Sequence, residues 1–352
     1  MVVLAATRAR RGGRMTGKTR SRSGSVTIRD VASLAGVAPI TVSRVVNAPA
    51  SVKAATRERV LTAIAASGYM PNLVAGALAS NRSRLVAVLV PMLTNPLFAD
   101  SYQAVAERLA QAGYQVLLGV TGHDPRHEEA LLATILSRRP DGLILTGVDH
   151  TPASRARLQA AGVPVVETWD LSAEPIDQAV GFHHEAVGAL LAKRANAGGY
   201  AQVAQVAVDD PRGTRRRLSL SQALATLGIA ETAPALFTGL PSLEQGRQAL
   251  CQLLAQTKVR PLLVVCTSDT LAHGVLTEAL AQGLAVPGDV AVIGFGDMAF
   301  AAHTLPALTT IRVDATALGH TAAELLLARL AGSDGEPQQR DLGVEWIERG
   351  SA

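Results

Sequence analysis

Cysteine is almost absent from this chain, which has only Cys251 and Cys266 in 352 residues. Each sits in an apolar stretch, ALCQLLA and LLVVCTSD. So few thiols exclude a disulfide-stapled scaffold and leave no metal-ligand spacing; neither a metal nor a cofactor is expected. Both cysteines read as buried free thiols, which suits a reducing cytoplasm. Long hydrophobic runs are missing too. The longest, Leu85 to Leu93, is too short to span a bilayer and contains Pro91. The opening Met1 to Ala6 is apolar, but its basic residues follow it, the wrong order for a secretory signal. Catalytic motifs are also lacking: no Gly-x-Gly-x-x-Gly after a strand, no phosphate loop, no Gly-x-Ser-x-Gly and no His-Glu-x-x-His. Gly294 to Asp297 (GFGD) is too short for a dinucleotide fingerprint. His123, His127, His150, His183 and His184 are scattered, with no nucleophile at a usable spacing, so an ordinary polar or surface role is read for them. Cys266, at a strand end, reads as core. No enzyme is expected.

What is present is a large apolar fraction, 48% of residues against 18% charged. That suffices for a true core and for two or three domains. The net charge of +4 hides a division. Residues 1–84 carry fourteen basic side chains against Asp30 and Glu58 alone, a net of +12, and the remainder carries −8. A small basic unit, suited to a polyanion, is joined to a large acidic one. Residues 1–25 are Arg-, Gly-, Ser- and Thr-rich, lack periodicity and read as a disordered basic tail, with Met15 a rival start. Without that tail, residues 27–84 still hold seven basic against two acidic groups.

Order begins at Thr27. Thr27 with Asp30 has capping-box form, a hydroxyl at the N-cap and an acceptor three residues on. Val31, Leu34 and Ala35 follow at helical spacing, and Gly36 to Ala38 form a tight turn. Pro39 suits the first position of a second helix, where its missing N–H costs nothing. That helix runs to about Asn47. A third, from about Ala55 to Ser67, is expected to bury Val60, Leu61 and Ile64 and to stop at Gly68. This is the helix-turn-helix pattern. Its second helix offers Arg44, which can pair bidentately with guanine, and the small hydroxyls of Thr41 and Ser43 for phosphates. A bland three-helix packing module gives similar apolar spacing, but the pattern favours DNA binding over it.

The run VTIRDVASLAGVAPITVSRVVN (Val26 to Asn47), with Gly68 to Asn72 (GYMPN) behind the third helix, strongly resembles the N-terminal signature of the lactose/galactose repressor (LacI/GalR) family. The likeness extends from about Val26 to the C-terminus. It implies a transcription regulator in which Pro39, Ile40 and Arg44 face base edges. Thr27, Thr41, Ser43, Asn47, Asn72 and Leu78 complete the implied DNA-contacting set. Ala38 departs from the family, which usually places Ser or Thr at that N-cap; the lost cap should cost about 1 kcal/mol, partly offset by Pro39. In the family, Asn72 to Ser80 is a hinge helix that orders on operator DNA and drives a leucine, here Leu78, into the minor groove to bend the duplex. Gly76 weakens such a helix by about 1 kcal/mol, as suits an element that folds only when bound.

From Leu85, strand-like runs (LVAVLV, YQVLLGV, DGLILTG, PVVETW, AQVAQVAV, LLVVCTS, VAVIGFG) alternate with Ala/Leu-rich helical stretches. Such alternation means parallel sheets with helices on both faces, in two lobes, with ligands bound beyond the carboxyl ends of the strands. The resemblance implies an α/β core like the periplasmic sugar-binding proteins, crossing between lobes near Phe182, near Ile311 to Val313 and near Arg340. Carried over position by position, Thr94, Phe98, Thr146, Asp170, Arg216 and Ser268 are the implied effector contacts. Arg216 matches the arginine that grips ligand, within the run Arg215 to Arg217, whose bland alternative is a solvated basic loop. Gly296 stands where many sugar-binding relatives keep an Asp. Losing that acid removes repulsion against an anion, and a buried Arg favours carboxylate or phosphate. Within the family the core is most similar to gluconate-utilisation repressors, on the stretches DGLILT, HTP, PVVE and IDQAVGF.

The expected organisation is a basic tail at 1–25, an all-α helix-turn-helix domain at 26–71, a hinge and linker at 72–84, and a two-lobed periplasmic-binding-protein-like core at 85–352. Its N-lobe is read as 85–182 with 313–339, and its C-lobe as 183–312 with 340–352. The expected function is a cytoplasmic, nucleoid-associated bacterial regulator, a homodimer on pseudo-palindromic operator DNA, controlled by gluconate, a ketogluconate or a phosphogluconate. No membrane partner is expected. A heptad tail is missing, so no tetramerising coiled coil is expected; side-by-side tetramers stay open. The competing reading is a sugar- or sugar-acid-binding protein or enzyme with an accessory helical domain.

Overall fold

A computed structural model describes residues 26–70, 82–122, 124–333 and 335–352. The expectations for the tail, for His123 and for the hinge with Asn72 and Leu78 lie outside the described residues. The chain divides into two compact units, residues 1–81 and 82–352.

The first unit holds α1 (Ile28–Ala35), α2 (Pro39–Asn47) and α3 (Ala54–Ser67). Asp30 Oδ2 accepts from the Thr27 N–H at 2.8 Å and from its hydroxyl at 2.7 Å, which caps α1 and lowers the Asp30 pKa. Gly36 closes α1 at φ 64°, a left-handed conformation that glycine adopts without a Cβ clash. Ala38 precedes α2 with no side-chain cap, and Pro39 opens it. Val31, Ala32, Ala35, Val42, Val45, Val60 and Ala63 make the core. Leu34 and Leu61 do not join it: they are 60% and 52% exposed. Three short helices enclose only a narrow apolar seam, and the small side chains Ala32, Ala35 and Ala63 fill it.

In the second unit, β1 (Leu85–Val90), β2 (Gln115–Val120), β3 (Gly142–Thr146), β4 (Val165–Thr168) and β5 (Gln178–Gly181) belong to one parallel sheet, ordered β5-β4-β3-β1-β2. Between them run α4 (Pro96–Gln111), α5 (Pro125–Leu136) and α6 (Pro152–Ala161). After Phe182 come α7 (His184–Ala197), β6 (Gln202–Val208), α8 (Pro211–Leu227), β7 (Ala230–Glu231), β8 (Ala235–Phe237), α9 (Leu243–Gln256), β9 (Leu262–Cys266), α10 (Asp269–Ala281), β10 (Val290–Gly296) and β11 (Thr309–Arg312). The second sheet is ordered β11-β10-β9-β6-β7, with β8 also paired to β6. The chain returns through α11 (Ala315–Leu330) to β12 (Gln339–Asp341), parallel to β5, and ends on β13 (Glu345–Ile347), antiparallel to β11. Helix α11 packs against α4 so closely that a Cβ on Gly319 would strike the Ser101 carbonyl.

The central strands are buried on both faces, which is why they read as continuous apolar runs. The short strands β5, β7, β8, β11, β12 and β13 carry no such run. The third crossing falls just after Asp341, since Arg340 and Asp341 pair with β5. Residues 82–84, read as linker, belong to the second unit: Asp141 accepts from Ser83 N and Oγ and from Arg84 N. Cys266 is buried, with its thiol pushed up by burial, but Cys251 is exposed on α9.

Candidate DNA-reading helix and effector cleft

Helix α2 turns Val42 and Val45 inward. At helical spacing this leaves Ile40, Arg44 and Asn47 exposed on one face, with Ser43 half-buried beside them. Pro39 and Thr27 are exposed and Thr41 is half-buried. Asn47 Nδ2 donates to Ser43 Oγ at 3.3 Å. Ile40 is 60% exposed, an apolar side chain at the start of a basic unit's second helix. Helix α2 therefore presents hydroxyl, apolar and guanidinium groups together, the set a major-groove helix uses.

In the second unit, polar residues at strand ends cap the helices that follow. Asn95, Asp124, Thr151 and Asp210 each accept a backbone N–H, with proline next at the first helical position. Asn95, Asp124 and Asp210 also line the cavities between the lobes. One cavity there, open to solvent, offers about 620 Å³ of space. Met92, Asn95, Phe98, Trp169 and Phe182 line it from one side, and Arg212, Arg216, Thr267, Ser268 and Phe295 from the other.

Arg216 is buried, lies 3.9 Å from the centroid of the Phe295 ring, and donates to the Thr267 carbonyl at 3.2 Å. Its other contact is His184 Nδ1 at 3.0 Å. A guanidinium only donates, so Nδ1 accepts; the histidine proton then sits on Nε2 and reaches the Trp169 carbonyl at 3.0 Å. Burial, with Arg216 and other arginines beside it, pushes His184 down to about 2, so it is neutral at working pH. Burial lowers Arg216 to about 10, leaving it charged. No carboxylate pairs with Arg216 among the described residues. Arg212, 5.3 Å over the Phe98 ring, makes neither hydrogen bond nor ion pair among them. Thr267 Oγ1 is buried on the same wall without a partner there. Trp169 forms the opposite wall at φ 71°, a left-handed backbone costly for a bulky residue, with its ring edge-on to Phe98 at 4.9 Å.

The implied contacts do not all meet at this cavity. Phe98, Arg216 and Ser268 line it. Ser268 Oγ accepts from Leu271 N at 3.3 Å, which leaves its proton for a ligand. Thr94 is exposed and does not line it; Asn95 does. Asp170 is buried and bound to Arg215, which also donates to Asp149 at 3.0 Å, a tie between the lobes. Burial raises the Asp170 pKa, and Arg215 opposes the rise. Thr146 lines a neighbouring cavity. Sequence reading missed Trp169, Phe182, Arg212 and His184. It gave the histidines ordinary polar or surface roles, whereas His184 is buried in the cleft and His183 is the exposed N-cap of α7. His150 is buried between Glu128 (2.7 Å) and Glu167 (3.4 Å). Burial works against its charge, but the two carboxylates outweigh it and raise His150 to about 9. Among the described residues no group is placed to hold a metal ion, and no helix is long and apolar enough to cross a membrane.

A helix-turn-helix unit joined to a two-lobed, cleft-bearing α/β unit defines a ligand-controlled DNA-binding protein. Comparison with known proteins gives the family. Residues 27–72 match the bacterial regulatory proteins of the lacI family, and residues 187–352 match the periplasmic binding protein-like domain. The chain is 36% identical over 336 residues to the HTH-type transcriptional regulator GntR of Pseudomonas aeruginosa, covering 95% of this chain and 98% of that one. To GntR of Escherichia coli K12 it is 32% identical over 331 residues, covering 92% and 98%. A LacI-family transcriptional regulator from Silicibacter pomeroyi superposes with a TM-score of 0.85 at 33% identity, over 93% of this chain and 99% of that one. The lac repressor dimer bound to operator and the anti-inducer ONPF gives 0.80 at 28% identity, over 93% and 99%. The chain belongs to the lacI family and is a DNA-binding transcriptional repressor, not an enzyme.

Proposed function

We propose that this repressor binds a pseudo-palindromic operator as a homodimer and answers to a six-carbon sugar acid such as gluconate, held in the 620 Å³ cavity. The DNA contacts are assigned to Pro39, Ile40, Thr41, Ser43, Arg44 and Asn47 on α2, with Thr27 at its flank. Asn72 and Leu78 complete the set on family likeness alone. A single helix-turn-helix contacts too little DNA for regulation, and two-fold pairing on a palindrome remedies that.

One observation carries the acid reading: two guanidiniums, Arg212 and Arg216, line one cavity and neither makes an ion pair among the described residues, while the single carboxylate in the same lining, Asp210, accepts from the Gly213 N–H as the cap of α8. An unpaired buried charge is costly, and an anionic ligand removes that cost. Gly296, where many sugar-binding relatives keep an acid, adds no further carboxylate beside Phe295. Arg216 keeps the expected anion contact and Arg212 joins it; with Asp170 tied to Arg215 and Thr146 in the neighbouring cavity, Ser268 and Thr267 are assigned the hydroxyls.

Calorimetry with gluconate and glucose tests this. Gluconate should bind and glucose should bind much more weakly. Charge-assisted bonds are worth roughly 1.5–3 kcal/mol, so Arg216→Ala should weaken gluconate by at least about tenfold and change glucose little. Equal binding of the two by the wild type defeats the acid reading. Gluconate binding unaltered in Arg216→Ala shifts the anion contact to Arg212 alone.

A further inference from the structure

We propose that Ile40 reads the C5-methyl group of a pyrimidine, a thymine of the operator half-site, so that the first turn of α2 recognises apolar surface and its later turns polar edges. This rests on the assignment of α2 to the major groove above. The outer surface of α2 is divided along its length. Ala38, Pro39 and Ile40, at its start, are exposed and carry no side-chain hydrogen-bonding group. Past Thr41, the residues Ser43, Arg44 and Asn47 bring a hydroxyl, a guanidinium and an amide.

A single exposed aliphatic side chain needs no explanation on most protein surfaces. This one stands on the DNA-reading face and gains no packing there. Ile40 is 60% exposed, Val42 and Val45 supply the inward contacts of α2, and among the described residues Ile40 does not pack on the unit's core. A β-branched residue in a helix also gives up propensity relative to alanine or leucine. Isoleucine at this position is therefore accounted for by what it meets outside the chain. In the major groove adenine, guanine and cytosine present hydrogen-bonding edges, and thymine alone adds a methyl. Ile40 against that methyl takes two apolar surfaces out of water. Against another base it desolvates a polar edge and gives it no partner. Ile40 and Arg44 lie about 6 Å apart along the helix axis, and base pairs are stacked about 3.4 Å apart. The thymine is then expected within about three base pairs of the guanine paired with Arg44.

The probe is the duplex that the full chain itself enriches from random-sequence DNA, with each thymine replaced in turn by deoxyuridine, which loses only the methyl. Titration should find one thymine per half-site, within about three base pairs of that guanine, whose replacement weakens wild-type binding about fourfold, the value of one methyl-sized group taken out of water. Ile40→Ala keeps the fold, because the side chain is exposed, and should cut that response below about twofold, while Arg44→Ala retains it. Cytosine at the same position should weaken wild-type binding, and 5-methylcytosine should bind about fourfold better than cytosine. If no thymine responds, if the response persists in full in Ile40→Ala, or if 5-methylcytosine binds no better than cytosine, the methyl reading is wrong. A guanine preference lost in Arg44→Ala would then still leave α2 in the major groove. If neither variant alters any base preference, the assignment of α2 fails with it.

Discussion

Arg44 and Arg216 are the same side chain in two opposite settings. Arg44 is exposed on a small unit crowded with other cations, where water and salt already stabilise its charge. Arg216 is buried in a larger acidic unit, against a ring, a neutral histidine and a carbonyl. Each lacks an anion, but only the buried one is held in a single orientation before the anion arrives. Exposed arginines gain affinity from counterion release and are weakened by salt. A buried, oriented arginine gains it by relieving a desolvated charge, and salt screens it little. The first arrangement suits a long polyanion and the second a small molecule of one shape.

The largest expected difference lies at the DNA. Arg44→Ala should cost about 1–3 kcal/mol at one base position of the operator and leave random-sequence binding nearly unchanged. Electrophoretic competition over single-base operator variants measures this. If operator and random DNA weakened equally, Arg44 would contact phosphate and not a base, and the contrast with Arg216 would shrink to one of burial.

The next effect tests the orientation of Arg216. His184 has its pKa lowered to about 2, so it stays neutral in the folded chain while it takes up a proton in the unfolded chain below about 6.5. The unfolded state then binds more protons, and stability contributed by neutral His184 is present above about 6.5 and lost as pH falls. Between pH 7 and pH 5 the wild type should lose about 2 kcal/mol relative to His184→Asn. Denaturant titrations of both chains at the two pH values give the difference. A constant difference would mean that His184 does not hold Arg216 as a neutral acceptor.

The smallest effect lies at the start of α2. Ala38→Ser restores a side-chain cap and should stabilise the helix by about 1 kcal/mol. Amide exchange in α2 should slow about fivefold, with the cleft amides unaltered. Slowing at the cleft as well would show that the two units are energetically coupled without DNA.

The helix-turn-helix was legible because its signals are local. Thr27 with Asp30, Gly36, Pro39 and Gly68 lie within a turn of the structures they set. Burial within it was less legible: Leu34 and Leu61 fit the periodicity but face solvent, since the seam between short helices is narrow and its fully buried positions are all Ala or Val. The long buried strands announced themselves as apolar runs. The short strands did not, because pairing with a neighbour, rather than composition, makes β12 and β13 strands at all.

By itself the sequence determined a basic helical unit, an acidic α/β unit with its polar groups at strand ends, and a run of arginines beyond β6. Only the tertiary structure decided what each arginine does. Arg212, Arg215 and Arg216 lie within two turns of one helix, yet one is unpaired at the junction of two cavities, one ties Asp149 and Asp170 across the lobes, and one is buried on His184. Adjacent positions on a helix diverge by about 100°. Their partners come from strands and a crossover distant in sequence, so spacing along the chain carries no record of them.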